Sequence, residues 1–437
     1  MPLPFSRRAT QTAPSFSRDF AGLKTLDHGV GPSIKFERAS NATFFDANGT
    51  LQTAANDTPR FDHSGGSSLG LLIEESRTNS IRNSQAGGAT SGVVGSGGVA
   101  PTNWAFGLNG AHGLTFEVVG TGAESGLAYI DVKLSGTPSA NDAGQVLFEG
   151  ITQIAASSGQ TWTAAANVKL VAGSLTNVSC RLRLLSYGPT TTFIGSTELT
   201  FSPTTAALNT QRWSHTRTVS DAATSSVVSS VRIIYTNGNP IDLTLRIAAP
   251  QLEQGAFPTS YIPTTTAAAT RAADSAVVTP ISSFYNIQEG TLFSEGSLGL
   301  RNIGEAFASL TQTTFGRGMS AQPNTSIASG NVVFVYRNSA TSPAINEAQD
   351  NATGINTATV QKFAVAHNSL GHVFGSTMGR TVVSDIADTV SPLVVCDRLL
   401  IGEQNTAGSV PKLNGHIRRI AYWPRRLSNS LLQQLTT

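Results

Sequence analysis

The chain reads as an all-β protein: an extended N-terminal ribbon, then two antiparallel β-sandwich (jelly-roll) domains, then one short C-terminal helix. Three observations predict this. Short apolar runs alternate with period two and are separated by turn residues at regular spacing. Only 13% of the 437 residues are charged while 42 are glycine, so uncharged polar groups clothe a turn-rich chain. A single segment, at the C-terminus, carries a convincing helical stripe. The length suffices for about two or three cores of ordinary domain size.

The first element is a polar, turn-rich ribbon from Ile34 to Asn83. Thr43, Phe44 and Phe45 precede Asp46-Ala47-Asn48-Gly49, and Asn-Gly tolerates the positive φ of a hairpin turn. Pro59 interrupts any ladder, and Leu69 to Ile73 is a short apolar run that must be buried against something. A hairpin and one apolar strand cannot offset the entropy of ordering this segment, so it is expected to dock onto a neighbouring domain, another subunit or a capsid. The residues alone favour an ordinary N-terminal β-extension of the next domain. Phe36, Arg38, Ala39, Asn48, Gly49, Pro59, Arg60, Phe61, Gly70, Glu74, Glu75 and Asn79 also fall in an order and spacing that resembles the N-terminal segment of tailed-phage virion fibre and head-spike proteins. The resemblance implies a virion-attachment ribbon over residues 1–85, with Phe36, Arg38, Arg60 and Phe61 as candidate attachment residues. It also implies phage capsid or tail proteins as partners, a homo-oligomer that in such fibres is commonly a trimer, and a place in the virion.

The Gly/Ser/Ala-rich stretch Gln85 to Ala100 is a flexible linker or a loop. A second domain, 101–264, follows. Its strands are expected at Leu114 to Val119, Leu127 to Leu134, Gln145 to Ile151, Thr161 to Leu170, Ser179 to Leu185, Thr197 to Phe201, Trp213 to Val219, Val227 to Tyr235 and Ile241 to Ile247, with hairpin signals at Asn109-Gly110 and Asn237-Gly238. Around Cys180, alternation puts Arg181, Arg183 and Tyr187 on one side and Cys180, Leu182 and Leu184 on the core side. Arg246 likewise points away from Leu245 and Ile247, which predicts a sheet face bearing several arginines and a tyrosine. Such a face suits sugars, because guanidinium forks bridge hydroxyls or a carboxylate and an aromatic ring stacks on a pyranose. A solvated outer face is the alternative. Trp104, Trp162 and Trp213 sit among small or β-branched residues and are expected in the core. Gln160 to Lys169, Arg212-Trp213 and Ala249 to Gly255 together resemble jelly-roll carbohydrate-binding modules, which implies a sugar cleft.

Pro258-Thr-Ser-Tyr-Ile-Pro263 and the Thr/Ala-rich run to Asp274 lack apolar periodicity and form a strap or linker. Strands of a third domain, 275–437, are expected at Thr291 to Gly296, Asn331 to Arg337, Thr359 to His367, His372 to Phe374, Thr381 to Ser384, Asp397 to Ile401 and Gly415 to Trp423. Neither face of the last is cleanly apolar, as in a central strand. Ser428 is a fitting N-cap for a terminal helix whose Leu431, Leu432 and Leu435 dock on the preceding sheet. This ending resembles the concanavalin-A-like, laminin-G-like sandwiches of phage tail proteins. That family frequently binds glycans, sometimes with calcium, but no Asp-rich loop is present, so no metal and no cofactor are expected.

The formal net charge of +2 argues against nucleic acid as a partner. The start lacks a signal-peptide core and no run is long enough to span a bilayer, so assembly in a host cytoplasm without membrane insertion is expected. Cys180 and Cys396 are expected as buried free thiols and supply no zinc cluster. His367 and His372 flank an Asn-Ser-Leu-Gly turn and are expected on a surface hairpin. No catalytic motif is found; Glu74 and Glu75 point to opposite faces and cannot form a hydrolytic pair, and Glu253 is expected to brace the domain boundary. The leading expectation is a non-enzymatic fibre or spike protein of a tailed-phage particle that binds host surface polysaccharide. The alternatives are a capsule or lipopolysaccharide depolymerase and a purely architectural decoration protein.

Overall fold

The computed structural model describes residues 13–108, 113–299, 306–313, 315–323, 332–337, 345–350, 359–386, 393, 395–404 and 412–437. The protein is all-β, built of antiparallel sheets with a short C-terminal helix. A further α-helical turn, Phe20–Leu23, is capped by the Asp19 carboxylate, and Pro189–Thr191 and Leu208–Thr210 form 3-10 turns. The chain forms two compact units: one from Ala42–Thr53 and Arg77–Arg271, the other from the described parts of Met1–Asn41, Ala54–Ser76 and Ala272–Thr437.

Residues of the N-terminal segment therefore belong to both units. In the second-named unit, Lys35–Glu37 pairs with Ser275–Val278, while Phe16–Asp19 and Ser67–Ile73 both pair with Gly415–Trp423. Phe16, Phe20, Phe36, Leu71 and Ile73 lie in one core with Val278, Leu310, Phe334 and Tyr422. The Ala42–Phe45 and Leu51–Ala54 hairpin closes at Gly49, whose φ is +71°. The apolar run at Leu69 to Ile73, which could not build a core alone, is thus buried against strands far along the chain.

That unit is a sandwich of two sheets. One runs Gly29–Val30, Phe16–Asp19, Gly415–Trp423, Gly290–Ser297, Gln361–His367, Val373–Thr377, Val383–Asp385; the other runs Ile345–Asp350, Val332–Arg337, Phe315–Pro323, Ala308–Gln312, Arg398–Ile401, Ser275–Val278, Lys35–Glu37. Gly415–Trp423 is central, as its pattern predicts. A register shift opposite Glu295 and Gly296 skips Arg418, so Ile417 and Ile420 both face the main core although three residues apart. Beyond it, Trp423 meets Phe293, Leu427 and Leu432 on the opposite face, where the helix Asn429–Thr436 docks. Ser428 Oγ accepts from the Leu431 amide, the N-cap expected.

In the other unit all nine expected strands are present. One sheet runs Gly97–Gly98, Gly92–Val94, Leu114–Glu124, Leu127–Gly136, Ile241–Gln254, Thr161–Gly173, Arg212–Thr218; the opposing one runs Ala105–Leu108, Asp142–Leu147, Ser226–Tyr235, Val178–Tyr187, Phe193–Phe201. The expected strand to Ile151 stops at Leu147, and beyond it buried Glu149 accepts from Arg82 at 2.7 Å and 3.0 Å. The Gly-rich stretch after Gln85 is ordered into the edge of the first sheet. Glycine is required there, since a Cβ on Gly98 would lie 2.0 Å from the Gly92 carbonyl oxygen. Trp104 and Trp162 are in the core and Trp213 packs against it. Asn109-Gly110 lies outside the described residues, whereas Asn237-Gly238 makes its turn with Gly238 at φ +75°.

Candidate glycan-binding face

Pairing register fixes which side chains share the outer face of the five-strand path. Across Asp142–Leu147, Ser226–Tyr235, Val178–Tyr187 and Phe193–Phe201, one row reads Gln145, Arg232, Arg181, Thr200. The next reads Leu147, Ser230, Arg183, Glu198, and two more bring Leu185 beside Val228 and Ser196, and Tyr187 beside Ser226 and Phe193. Cys180, Leu182 and Leu184 point the other way into the core, as alternation predicts.

Glu198 is the hub of this face. Its Oε1 lies 3.2 Å from Arg181 Nη1, and its Oε2 lies 3.2 Å from Arg232 Nη1 and 3.9 Å from Arg183 Nε. Arg183 Nε also donates to Ser196 Oγ at 2.9 Å. Three guanidinia thus share one carboxylate, with Arg181 and Arg232 directly opposed across the strands. Like charges so placed destabilise a sheet. Partial burial and then repulsion from Arg232 pull the Arg183 pKa down, against the attraction of Glu198. Beside the charges, Leu147, Leu185 and Val228 form a small buried apolar cluster with Ile151 and Tyr187 packed against it. Tyr187 meets Phe193 edge-on at 5.8 Å, and the Arg183 guanidinium stands 5.6 Å over the Phe193 ring, which is 51% exposed. Burial pushes the Tyr187 phenol pKa up, opposed by Arg183.

The structure brings Arg181, Arg183 and Tyr187 together and separates Arg246 from them. Arg246 lies on the opposing sheet, where its Nη2 meets Asp131 Oδ2 at 2.8 Å, its Nη1 meets Glu124 Oε2 at 2.6 Å, and its guanidinium covers Tyr129 at 3.5 Å. Lys169 shares Glu124 at 3.0 Å. Strand pattern reveals which way a side chain points but not which of two sheets holds it. Arg232 and Glu198 were missed; each was legible as the charged member of an expected alternating strand, Val227 to Tyr235 and Thr197 to Phe201, but nothing local shows that the two meet.

Among the four residues implied for virion attachment, Arg38 and Arg60 are enclosed. Arg38 Nη1 lies 3.1 Å from Asp274 Oδ1, and Arg60 bridges Asp274 Oδ2 at 2.6 Å and Glu74 Oε2 at 2.7 Å. The Glu74 amide donates to Asp274 Oδ2 at 2.8 Å. Burial disfavours the charge on Arg60, but Glu74 and Asp274 outweigh it and raise its pKa. Phe36 lies in the core and Phe61 packs against it. All four make these contacts within the unit that contains the described parts of 1–41 and 54–76.

Elsewhere, Glu253 is fully buried and receives the Thr259 amide and hydroxyl, tying down the Pro258–Pro263 strap within its unit. Glu75 turns from Glu74 to Asn414, at 3.2 Å. Cys180 and Cys396 are buried free thiols. The surface hairpin expected at His367 is corrected: the Asn368–Gly371 turn forms, but His367 is 0% exposed and stacks 4.6 Å from Tyr336. It belongs to a strand paired on both edges, so its face was decided by packing.

No family model and no curated protein sequence matches the chain. Among solved structures, it is similar to the CBM40 of Ruminococcus gnavus IT-sialidase bound to α2,3-sialyllactose, at 15% identity over 35% of this chain and 84% of that one, with a TM-score of 0.29. The same module bound to α2,6-sialyllactose matches at 15% identity over 35% and 85%, TM-score 0.29. Trypanosoma rangeli sialidase in complex with the inhibitor DANA matches at 10% identity over 75% of this chain and 69% of that one, TM-score 0.27. Likenesses this slight leave the function to the chemistry of the face itself.

Proposed function

We propose that this chain is a non-enzymatic fibre or spike component of a tailed-phage particle whose Arg77–Arg271 sandwich holds host surface glycan on the outer face of its five-strand path. The observation that carries the glycan reading is the juxtaposition of an exposed aromatic ring and three guanidinia sharing one carboxylate on one sheet face. Rings take the apolar side of a sugar and guanidinia take its oxygens. The phage reading is supported by the motif order between Phe36 and Asn79. Weak single sites on many copies would add up to firm attachment.

A depolymerase needs two carboxylates across the scissile bond. Among the described residues of these rows Glu198 is the single carboxylate, which favours a binder. The test is retention of the purified protein on host surface polysaccharide, followed by assay of reducing ends. Retention with the polymer intact is expected. Polymer shortening would make the protein an enzyme, and no retention combined with unstable particles lacking the protein would make it architectural.

A further inference from the structure

We infer that the ligand of this face is an acidic saccharide whose carboxylate docks among Arg181, Arg183 and Arg232, with Glu198 acting as the competitor it displaces; this rests on the glycan reading above. Three observations lead there. Cations outnumber anions three to one in the rows described, and the directly opposed Arg181 and Arg232 have only Glu198 between them. One carboxylate offers two oxygens, and Arg183 is left at 3.9 Å from the nearer of them, beyond hydrogen-bond reach. A second carboxylate would give the half-satisfied guanidinium its planar partner.

The neighbouring polar groups are also under-used. Ser230, cross-strand neighbour of Arg183, is 0% exposed and its hydroxyl has no hydrogen-bond partner among the described residues. The Gln145 side-chain amide oxygen Oε1, in the row of Arg232, is likewise buried without one. Buried polar atoms left unpaired are uncommon in native proteins and mark places where something else binds or strain is held. The ligand that fits the arginines is a hydroxylated ring with an attached carboxylate. The tyrosine and phenylalanine rings two rows away accept its apolar edge, which a bare inorganic anion lacks.

The experiment uses the full chain on a panel of bacterial surface oligosaccharides containing hexuronic or nonulosonic acids, each presented intact and after reduction of its carboxyl group to an alcohol. Binding to intact members, with about a tenfold or greater loss on reduction, is expected. Glu198→Gln is expected to strengthen binding of the intact form more than that of the reduced form, whereas Arg183→Gln should weaken the intact form by a larger factor than the reduced form. Equal binding of intact and reduced members would overturn the acidic assignment and leave the glycan reading standing. Binding to no member would overturn both. If Arg183→Gln fails to fold, the Glu198→Gln comparison decides by itself, since a purely structural Glu198 would weaken both forms or neither.

Discussion

Two arginine–carboxylate groups in this molecule show what the same chemistry does at different depths. In one unit, Arg38 and Arg60 share Asp274, with Glu74 completing the balance: two guanidinia, two carboxylates, side chains 0 to 6% exposed. In the other, Arg181, Arg183 and Arg232 share only Glu198, with side chains 16 to 29% exposed. A buried ion pair is tolerable only when matched and hydrogen-bonded on every side. Arg38 meets that demand by also donating to the carbonyls of Ser40 and Ala55, at 2.8 Å and 2.6 Å. The charge excess at Glu198 is tolerable because water screens it, and it leaves capacity for a ligand. The balanced group serves folding; the unbalanced one is suited to recognition.

The comparison breaks most visibly at Asp274. Asp274→Ala would leave two enclosed guanidinia facing each other and is expected to cost about 3–5 kcal/mol by urea denaturation. A cost below about 1 kcal/mol would mean that the cluster does not hold the ribbon. Acid tests the same interior through a different group. Burial pushes the His367 imidazole pKa down to about 4. The unfolded chain, titrating near 6.5, takes up a proton first as pH falls. Stability present above about pH 6.5 should therefore decline as pH falls toward 4, by at most ~3 kcal/mol, and then level off. The His367→Phe variant should lack that slope in denaturation curves at matched pH, and a slope that persists would assign it to another group.

At the exposed group, effects should appear in binding more than in folding. Charge reversal by Arg181→Glu with Arg183→Glu is expected to abolish retention on host cells, a loss of about tenfold or more, while the thermal midpoint stays near that of the parent. Unchanged adsorption would remove this face from consideration. Smallest of all, Glu198→Ala should change unfolding free energy by about 0–1 kcal/mol, as partly exposed pairs do. A loss like that at Asp274 would erase the distinction between the two groups.

Much of this was legible from residues. The alternation Cys180, Leu182, Leu184 against Arg181, Arg183, Tyr187 gave the core side and the outer side correctly, because side-chain alternation is a local property of extended backbone. The terminal helix was legible from Ser428 and its leucine stripe for the same reason. His367 was not, since being next to a turn says nothing about what covers a strand.

Sequence by itself determined that this chain is all-β, nine of the strands of the Arg77–Arg271 unit, and which way the Val178–Tyr187 side chains point. Tertiary structure alone decided the company they keep. Arg38 meets Asp274 across 236 residues, Arg183 receives Glu198 from the next strand, and Arg246 is placed on the opposing sheet with Asp131. Strand direction follows from backbone geometry residue by residue, whereas strand order follows from how whole apolar faces are buried against one another, and only that order brings charges together.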